Sequence, residues 1–133
     1  MEIRQQIEDF LSGSPHAVVG ASVDRSKYGN KVLRCYLQHA RPVQVVHPSE
    51  REIEGVTCVA SVADLPEGVH GLSIITPPPI TERVVTAALA RGIRRFWMQP
   101  GAESATAIAA ARAAGASVIA GGPCLLVSLG YRE

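Results

Sequence analysis

The stretch VVGASVDRSKYGNKVLRCYL, residues 18–37, decides the fold. Its first residues continue an apolar run from His16 to Val19, which reads as a buried strand, and the run breaks at Gly20. A polar loop follows. From Gly29 onward Val32, Leu33, Tyr36 and Leu37 recur at the spacing of one helix face. Strand, glycine turn and helix is an arrangement in which backbone amides and a helix amino end receive phosphate. The compact G-x-G-x-x-G fingerprint is missing. Gly20 stands at the strand end, and Gly29 comes only after a loop carrying Asp24, Arg25, Ser26 and Lys27.

The same alternation extends in both directions. Residues 3–11 predict a short leading helix with Ile3, Ile7, Phe10 and Leu11 on one face, ended by Ser12-Gly13-Ser14-Pro15. Residues 42–46 predict a strand stopped by His47-Pro48. Between 49 and 67 the pattern is weaker. Glu54-Gly55-Val56 reads as a short edge strand and 61–65 as one helical turn. Residues 71–75 form the next strand, and a helix after Pro77-Pro78-Pro79 places Ile80, Val84, Val85, Ala88 and Leu89 in register before Gly92. Residues 93–98 and 117–120 read as strands on either side of an alanine-rich helix over about 103–114, closed by Gly115. Strands alternating with helices imply parallel strands joined by right-handed crossovers. Continuous apolar strands imply a sheet covered on both faces. The expectation is an α/β fold: one doubly wound, Rossmann-like parallel sheet of about five strands with helices on both faces. Residues 1–133 read as a single domain, with 1–14 as a leading helix and turn.

Composition bounds the function. A chain of 133 residues, 47% hydrophobic and 19% charged, has enough apolar side chain for one sizeable core. A net charge of +1 gives no support for a nucleic-acid or membrane-surface role. No apolar run is long enough to span a bilayer, and the first residues do not open a secretory signal, so the expected location is the cytoplasm. Cys35, Cys58 and Cys124 are odd in number and form no C-x-x-C, which indicates free thiols rather than a zinc site or a disulfide framework.

Ligands of an open parallel sheet bind beyond the carboxyl ends of the strands. Those ends read Gly20-Ala21-Ser22 with the loop to Tyr28-Gly29, His47-Pro48-Ser49, Thr76-Pro77-Pro78, Gln99-Pro100-Gly101 and Gly121-Gly122-Pro123-Cys124. Any one of them is a plain turn, but five of this character define a crevice. Backbone amides, Ser22 and the helix start at Asn30 are suited to phosphate. An NAD site usually has an acidic residue after the second strand to hold the ribose hydroxyls. Here His47-Pro48 stands there, with no carboxylate before Glu50, and Arg25, Lys27 and Lys31 lie near the first loop. That pattern favours NADP or coenzyme A over NAD; its plain alternative is a solvated basic rim.

Together the segments VVGAS, KYG, VVHPS, IITPPP, FWMQPGA and GGPC resemble the small stand-alone CoA-binding domain proteins. They are also similar to the nucleotide-binding domain of the succinyl-CoA synthetase alpha subunit and of ADP-forming acyl-CoA synthetases. The resemblance runs over about residues 15–125. It implies that Gly20, Ala21, Ser22 and the Lys27-Tyr28-Gly29 stretch hold the CoA phosphates. It implies that adenine lies against Val46, His47 and Pro48. The loops at Thr76-Pro77-Pro78 and Gln99-Pro100-Gly101 would close over the rest of the nucleotide and the pantetheine. Two positions depart from the family's pattern: His47, where Asn is common before the proline, and the closing Gly122-Pro123-Cys124-Leu125.

The synthetases carry their phosphorylated histidine in a further domain, for which this sequence has no counterpart. His16 opens a strand, His39 closes a helix and His70 lies at the opposite sheet end, so only His47 is placed for a ligand. Cys124 is the one candidate nucleophile; the plain reading is a small buried thiol, the sharper one a mixed disulfide with a CoA thiol. No base, nucleophile and orienting partner converge, and no metal ligand set is present. The first reading is a non-catalytic protein for coenzyme A or an acyl-CoA, a homodimer or a partner of a larger acyl-CoA enzyme. The alternatives are a small NADP-dependent oxidoreductase or redox sensor, and an interaction module with a vestigial pocket. Phe96 and Trp97 read as core before they read as a dimer contact.

Overall fold

The computed structural model describes residues 2–133. The leading helix α1 spans Ile3–Leu11, and strand β1 spans His16–Val19. Helix α2 runs Tyr28–Gln38 and strand β2 runs Val43–Val46. Strands β3 (Glu52–Ile53) and β4 (Val56–Val59) are followed by a 3-10 turn at Val62–Asp64. Then come β5 (Gly71–Ile74), α3 (Pro78–Ala90), β6 (Arg95–Met98), α4 (Ala105–Ala113) and β7 (Ser117–Ile119). A wide helical turn at Leu126–Gly130 follows.

The sheet order is β3-β4-β2-β1-β5-β6-β7. Every neighbouring pair from β4 to β7 is parallel, and only β3 runs against its neighbour. This is the doubly wound, Rossmann-like α/β fold the alternation predicts, with seven strands instead of about five. The two extra strands lie in residues 49–67, where the apolar pattern is weakest. Glu54-Gly55, expected within an edge strand, is the turn of the β3–β4 hairpin. Both residues sit at positive φ, 50° and 80°, as a two-residue hairpin turn requires. No helix among the described residues is long and apolar enough to cross a membrane.

Alternation along each strand divides the core. Ala17, Val19, Leu72, Ile74, Phe96, Met98 and Val118 face α3 and α4, where Val84, Val85, Ala88, Ala107 and Ala111 meet them. Val18, Val45, Trp97 and Ile119 face Phe10 of α1 and Val32, Leu33 and Tyr36 of α2. Leu37, expected on the same stripe, is 39% exposed. Phe96 and Trp97 are fully buried core residues. His16 is also fully buried, its ring stacked between Phe10 and Tyr36 at 4.7 and 5.2 Å. The three thiols are free.

The chain leaves β1 toward β2 on one side and returns to β5 on the other. The switch in strand order therefore lies between β1 and β5, where an open crevice forms at the carboxyl edge. Gly20 marks it. Its φ is +101°, and a Cβ there would stand 2.3 Å from the Ile75 carbonyl oxygen, so only glycine lets the two strand ends approach this closely.

Candidate functional site

Two cavities of about 610 and 600 Å³ open at this edge and share Thr76. The first is walled by Tyr28 from the start of α2, by Ile75, Thr76, Pro77 and Pro78 after β5, and by Pro100, Gly101 and Ala102 after β6. Cys124 completes it. The second lies between the ends of β1, β2 and β4 and the flank of α3. Gly20, Ala21, His47 and Pro48 line it, with Ala60 to Ala63 across from Ile80, Arg83, Val84 and Ala87. No acidic residue lines either cavity among the described residues.

Most of the residues expected from the strand ends therefore converge. Tyr28, Thr76, Pro77, Pro78, Pro100 and Gly101 meet in the first cavity, and Gly20, Ala21, His47, Pro48 and Thr76 in the second. Ser22, Arg25, Lys27, Gly29, Asn30 and Gln99 line neither, and their contacts explain why. The Ser22 hydroxyl accepts the Asp24 amide at 3.1 Å. Asn30 is fully buried, donating to the Ser22 carbonyl at 2.8 Å and to Glu54 at 3.1 Å, and accepting from Arg34 at 2.7 Å. Arg25 is ion-paired to Glu54. Asn30 and Arg25 together hold the Glu54 carboxyl below its ordinary range. Lys31 stands 3.8 Å from Glu133. Arg25 of the loop and Lys31 of α2 are thus matched by carboxylates from distant parts of the chain. Lys27 is the exposed N-cap of α2 and supplies no side-chain acceptor to the helix start.

His47 stands at the mouth of the second cavity. Its Nδ1 accepts the amides of Ser49 and Glu50 at 3.1 and 2.9 Å. A side-chain oxygen of Asn would make the same local turn bonds, so the histidine closes this turn as an Asx residue would. With Nδ1 occupied as an acceptor, the remaining proton of the neutral ring is on Nε2.

Gln99 is fully buried behind Tyr28. Its Oε1 accepts the Tyr28 hydroxyl and the Leu125 amide, each at 2.9 Å. Trp97 Nε1 donates to the Pro123 carbonyl at 3.0 Å. Trp97 of β6 and Gln99 just beyond it thus clip the closing loop to the helix that opens the site, and they place Cys124 against the Tyr28 hydroxyl. The tyrosine proton is already given to Gln99, so the thiol is the donor in that contact. Burial and the neighbouring thiol push the Tyr28 phenol above its ordinary range. Gln99 Nε2 has no partner among the described residues. Tyr28→Phe is expected to cost roughly 1–3 kcal/mol by leaving Cys124 and Gln99 without a shared partner. Urea unfolding measures it, and a variant as stable as the parent would show that the clip contributes nothing.

Sequence reasoning missed Glu54 and Arg83. Glu54 was hidden by reading a turn as a strand. Arg83 was legible in principle, since it follows Ile80 by three residues and precedes Ala87 by four, the spacing of one helix face.

A family model described as "CoA binding domain" matches residues 15–130, and the chain belongs to that family. Acetate–CoA ligase (ADP-forming) I of Archaeoglobus fulgidus is 35% identical over 69 residues, which are 52% of this chain and 10% of the ligase. The chain thus spans about a tenth of that relative's length. A conserved hypothetical protein from Pyrococcus furiosus superposes with a TM-score of 0.83 at 35% identity, over 87% of this chain and 99% of that one. A hypothetical protein from Pyrococcus horikoshii gives 0.88 at 26% identity, over 96% and 89%.

Proposed function

We propose that the chain binds coenzyme A or an acyl-CoA across the two cavities and does not itself turn it over, acting as one domain over residues 1–133 in the cytoplasm. The observation that carries this reading is the pair of cavities meeting at Thr76, beside the glycine at the switch in strand order. CoA is a two-ended ligand. Its adenosine suits the apolar second cavity, its pyrophosphate the Gly20–Thr76 junction, and its pantetheine the first cavity, which ends at a thiol. The lack of a carboxylate on either wall favours a phosphorylated ribose over the free diol of NAD. Membership of the CoA-binding family supports the same ligand, and the ligase relative supports a setting among acyl-CoA enzymes.

The non-catalytic reading rests on how the polar groups are used. His47 Nδ1 is committed to two backbone amides, and Cys124 and Tyr28 are committed to the Gln99 clip. Neither cavity combines a free base with a nucleophile it could activate.

A thermal-shift series with CoA, acetyl-CoA, 3′-dephospho-CoA, NAD and NADP at equal concentration and fixed salt tests the ligand. CoA at about 100 times its dissociation constant stabilises the native state by about 2.7 kcal/mol. For a domain of this size that raises the melting temperature by on the order of ten degrees. A large shift with NADP and none with CoA would replace this reading by the oxidoreductase one. No shift with any of the five would leave a vestigial pocket.

A further inference from the structure

One charge faces the second cavity, and neither the strand ends nor the first loop supplies it. Ile80, Arg83, Val84 and Ala87 form the wall that α3 presents to that cavity, and Arg83 is its only charged member. It is also the only Lys or Arg lining either cavity among the described residues. Arg83 is exposed and, among the described residues, makes no side-chain hydrogen bond or ion pair. Of the cations near the first loop, Lys27 lines neither cavity and the other two are engaged. Arg25 is matched by Glu54 and Lys31 by Glu133. Arg91, which caps the C-terminal end of α3, donates to the carbonyls of Val62, Ala63 and Leu65.

An exposed arginine is ordinarily just solvated. Arg83 differs because it shares its helix face with the apolar wall of a cavity that holds no acid, so an anion entering there meets no competing charge. Its position along the wall narrows which anion. Thr76 and Gly20 lie where the two cavities join, and Arg83 follows the first residue of α3 by five positions, about 7.5 Å along the helix axis. A ligand with its pyrophosphate at the junction and its adenine by His47 and Pro48 has its ribose between them, within reach of a guanidinium.

We propose that Arg83 recognises the ribose 3′-phosphate of the bound CoA, and so selects CoA over ligands with an unmodified ribose. The inference rests on the CoA reading above and extends it to a specificity-determining residue. The guanidinium fork matches a phosphate dianion bidentately, and a neutral amide of similar length does not. This moves the 3′-phosphate contact from the first loop to the middle of α3.

Isothermal titration of the parent, Arg83→Gln and Arg83→Lys with CoA and with 3′-dephospho-CoA tests it. The parent is expected to bind CoA about ten- to a hundredfold more tightly than 3′-dephospho-CoA. Arg83→Gln is expected to lose that preference by weakening CoA alone, and Arg83→Lys to recover part of it. Arg83 is exposed, so the melting temperatures of the free variants should match the parent and exclude a folding effect. Equal weakening of both ligands would assign Arg83 to the pyrophosphate and overturn the proposal. Unchanged affinity for CoA would return Arg83 to the solvated surface. A parent that binds neither ligand defeats the CoA reading itself, an outcome distinct from a parent that binds both equally.

Discussion

Gly29→Ala is expected to lower the melting temperature by on the order of ten degrees, although alanine ordinarily stabilises a helix relative to glycine by up to about 1 kcal/mol. Gly29 is the second residue of α2 and is buried. A Cβ at this position would stand 2.2 Å from the Gly20 carbonyl oxygen and 3.2 Å from the Ala21 Cα. Both are backbone atoms, and Gly20 has little room to yield, because the Ile75 carbonyl oxygen occupies the place where its own Cβ would stand. The clash must move the start of α2 away from the β1 turn. Overpacking of this kind costs roughly 1–3 kcal/mol and more where backbone blocks relaxation. The sequence suggests a different role for Gly29, as a point of close approach for a ligand phosphate. The structure gives the approach to the protein's own backbone, so the loss should be in stability before binding. Thermal unfolding of ligand-free protein decides it. A variant melting at or above the parent would mean that α2 has room to shift.

The fold was legible because parallel strands buried on both faces show as uninterrupted apolar runs, as at 16–19 and 93–98, and because glycines close the helices at 92 and 115. The β3–β4 hairpin was not, since its turn places Glu54, a residue with a side chain, at positive φ. The site divides in the same way. Residues at strand ends line the cavities because topology alone brings those ends together. The ion pairs of Arg25 and Lys31 were not legible because their carboxylates, Glu54 and Glu133, are distant in sequence, and no local pattern links Arg25 to a hairpin 29 residues on. The role of Trp97 and Gln99 was hidden for a related reason. Trp97 reads as strand core and Gln99 as part of a loop over the ligand, yet each reaches a loop 26 residues later.

Between pH 7.5 and pH 5 the fold is expected to lose about 2 kcal/mol of stability through His16 alone. The imidazole is completely buried, and burial is the largest influence on it, lowering its pKa from 6.5 to about 4. The hydrogen bond from Nε2 to the Phe10 carbonyl, at 2.6 Å, opposes that shift. His70, 5.6 Å away between ring centres, and Arg41 reinforce it, since a charged imidazole at His16 would meet another ionisable cationic group in each. Protonation would also place a second N–H at Nδ1, which has no partner among the described residues. The direction follows from which state takes the proton. The unfolded chain protonates His16 near pH 6.5 and the native chain only near pH 4, so acid draws the equilibrium toward unfolding. The stability is fully present above pH 6.5 and is lost progressively as pH falls toward 4. The carboxylates with lowered pKa, Asp24 and Glu54, begin to add their own loss only near their ordinary values of 3.8 and 4.5, so the window above pH 5 separates the histidine from them. Urea unfolding at pH 7.5, 6.0 and 5.0 measures the slope, and the Cε1 proton shift of His16 in the native protein measures the pKa directly. A native imidazole titrating near 6.5, or a stability flat across the window, would mean that the Phe10 carbonyl bond outweighs burial.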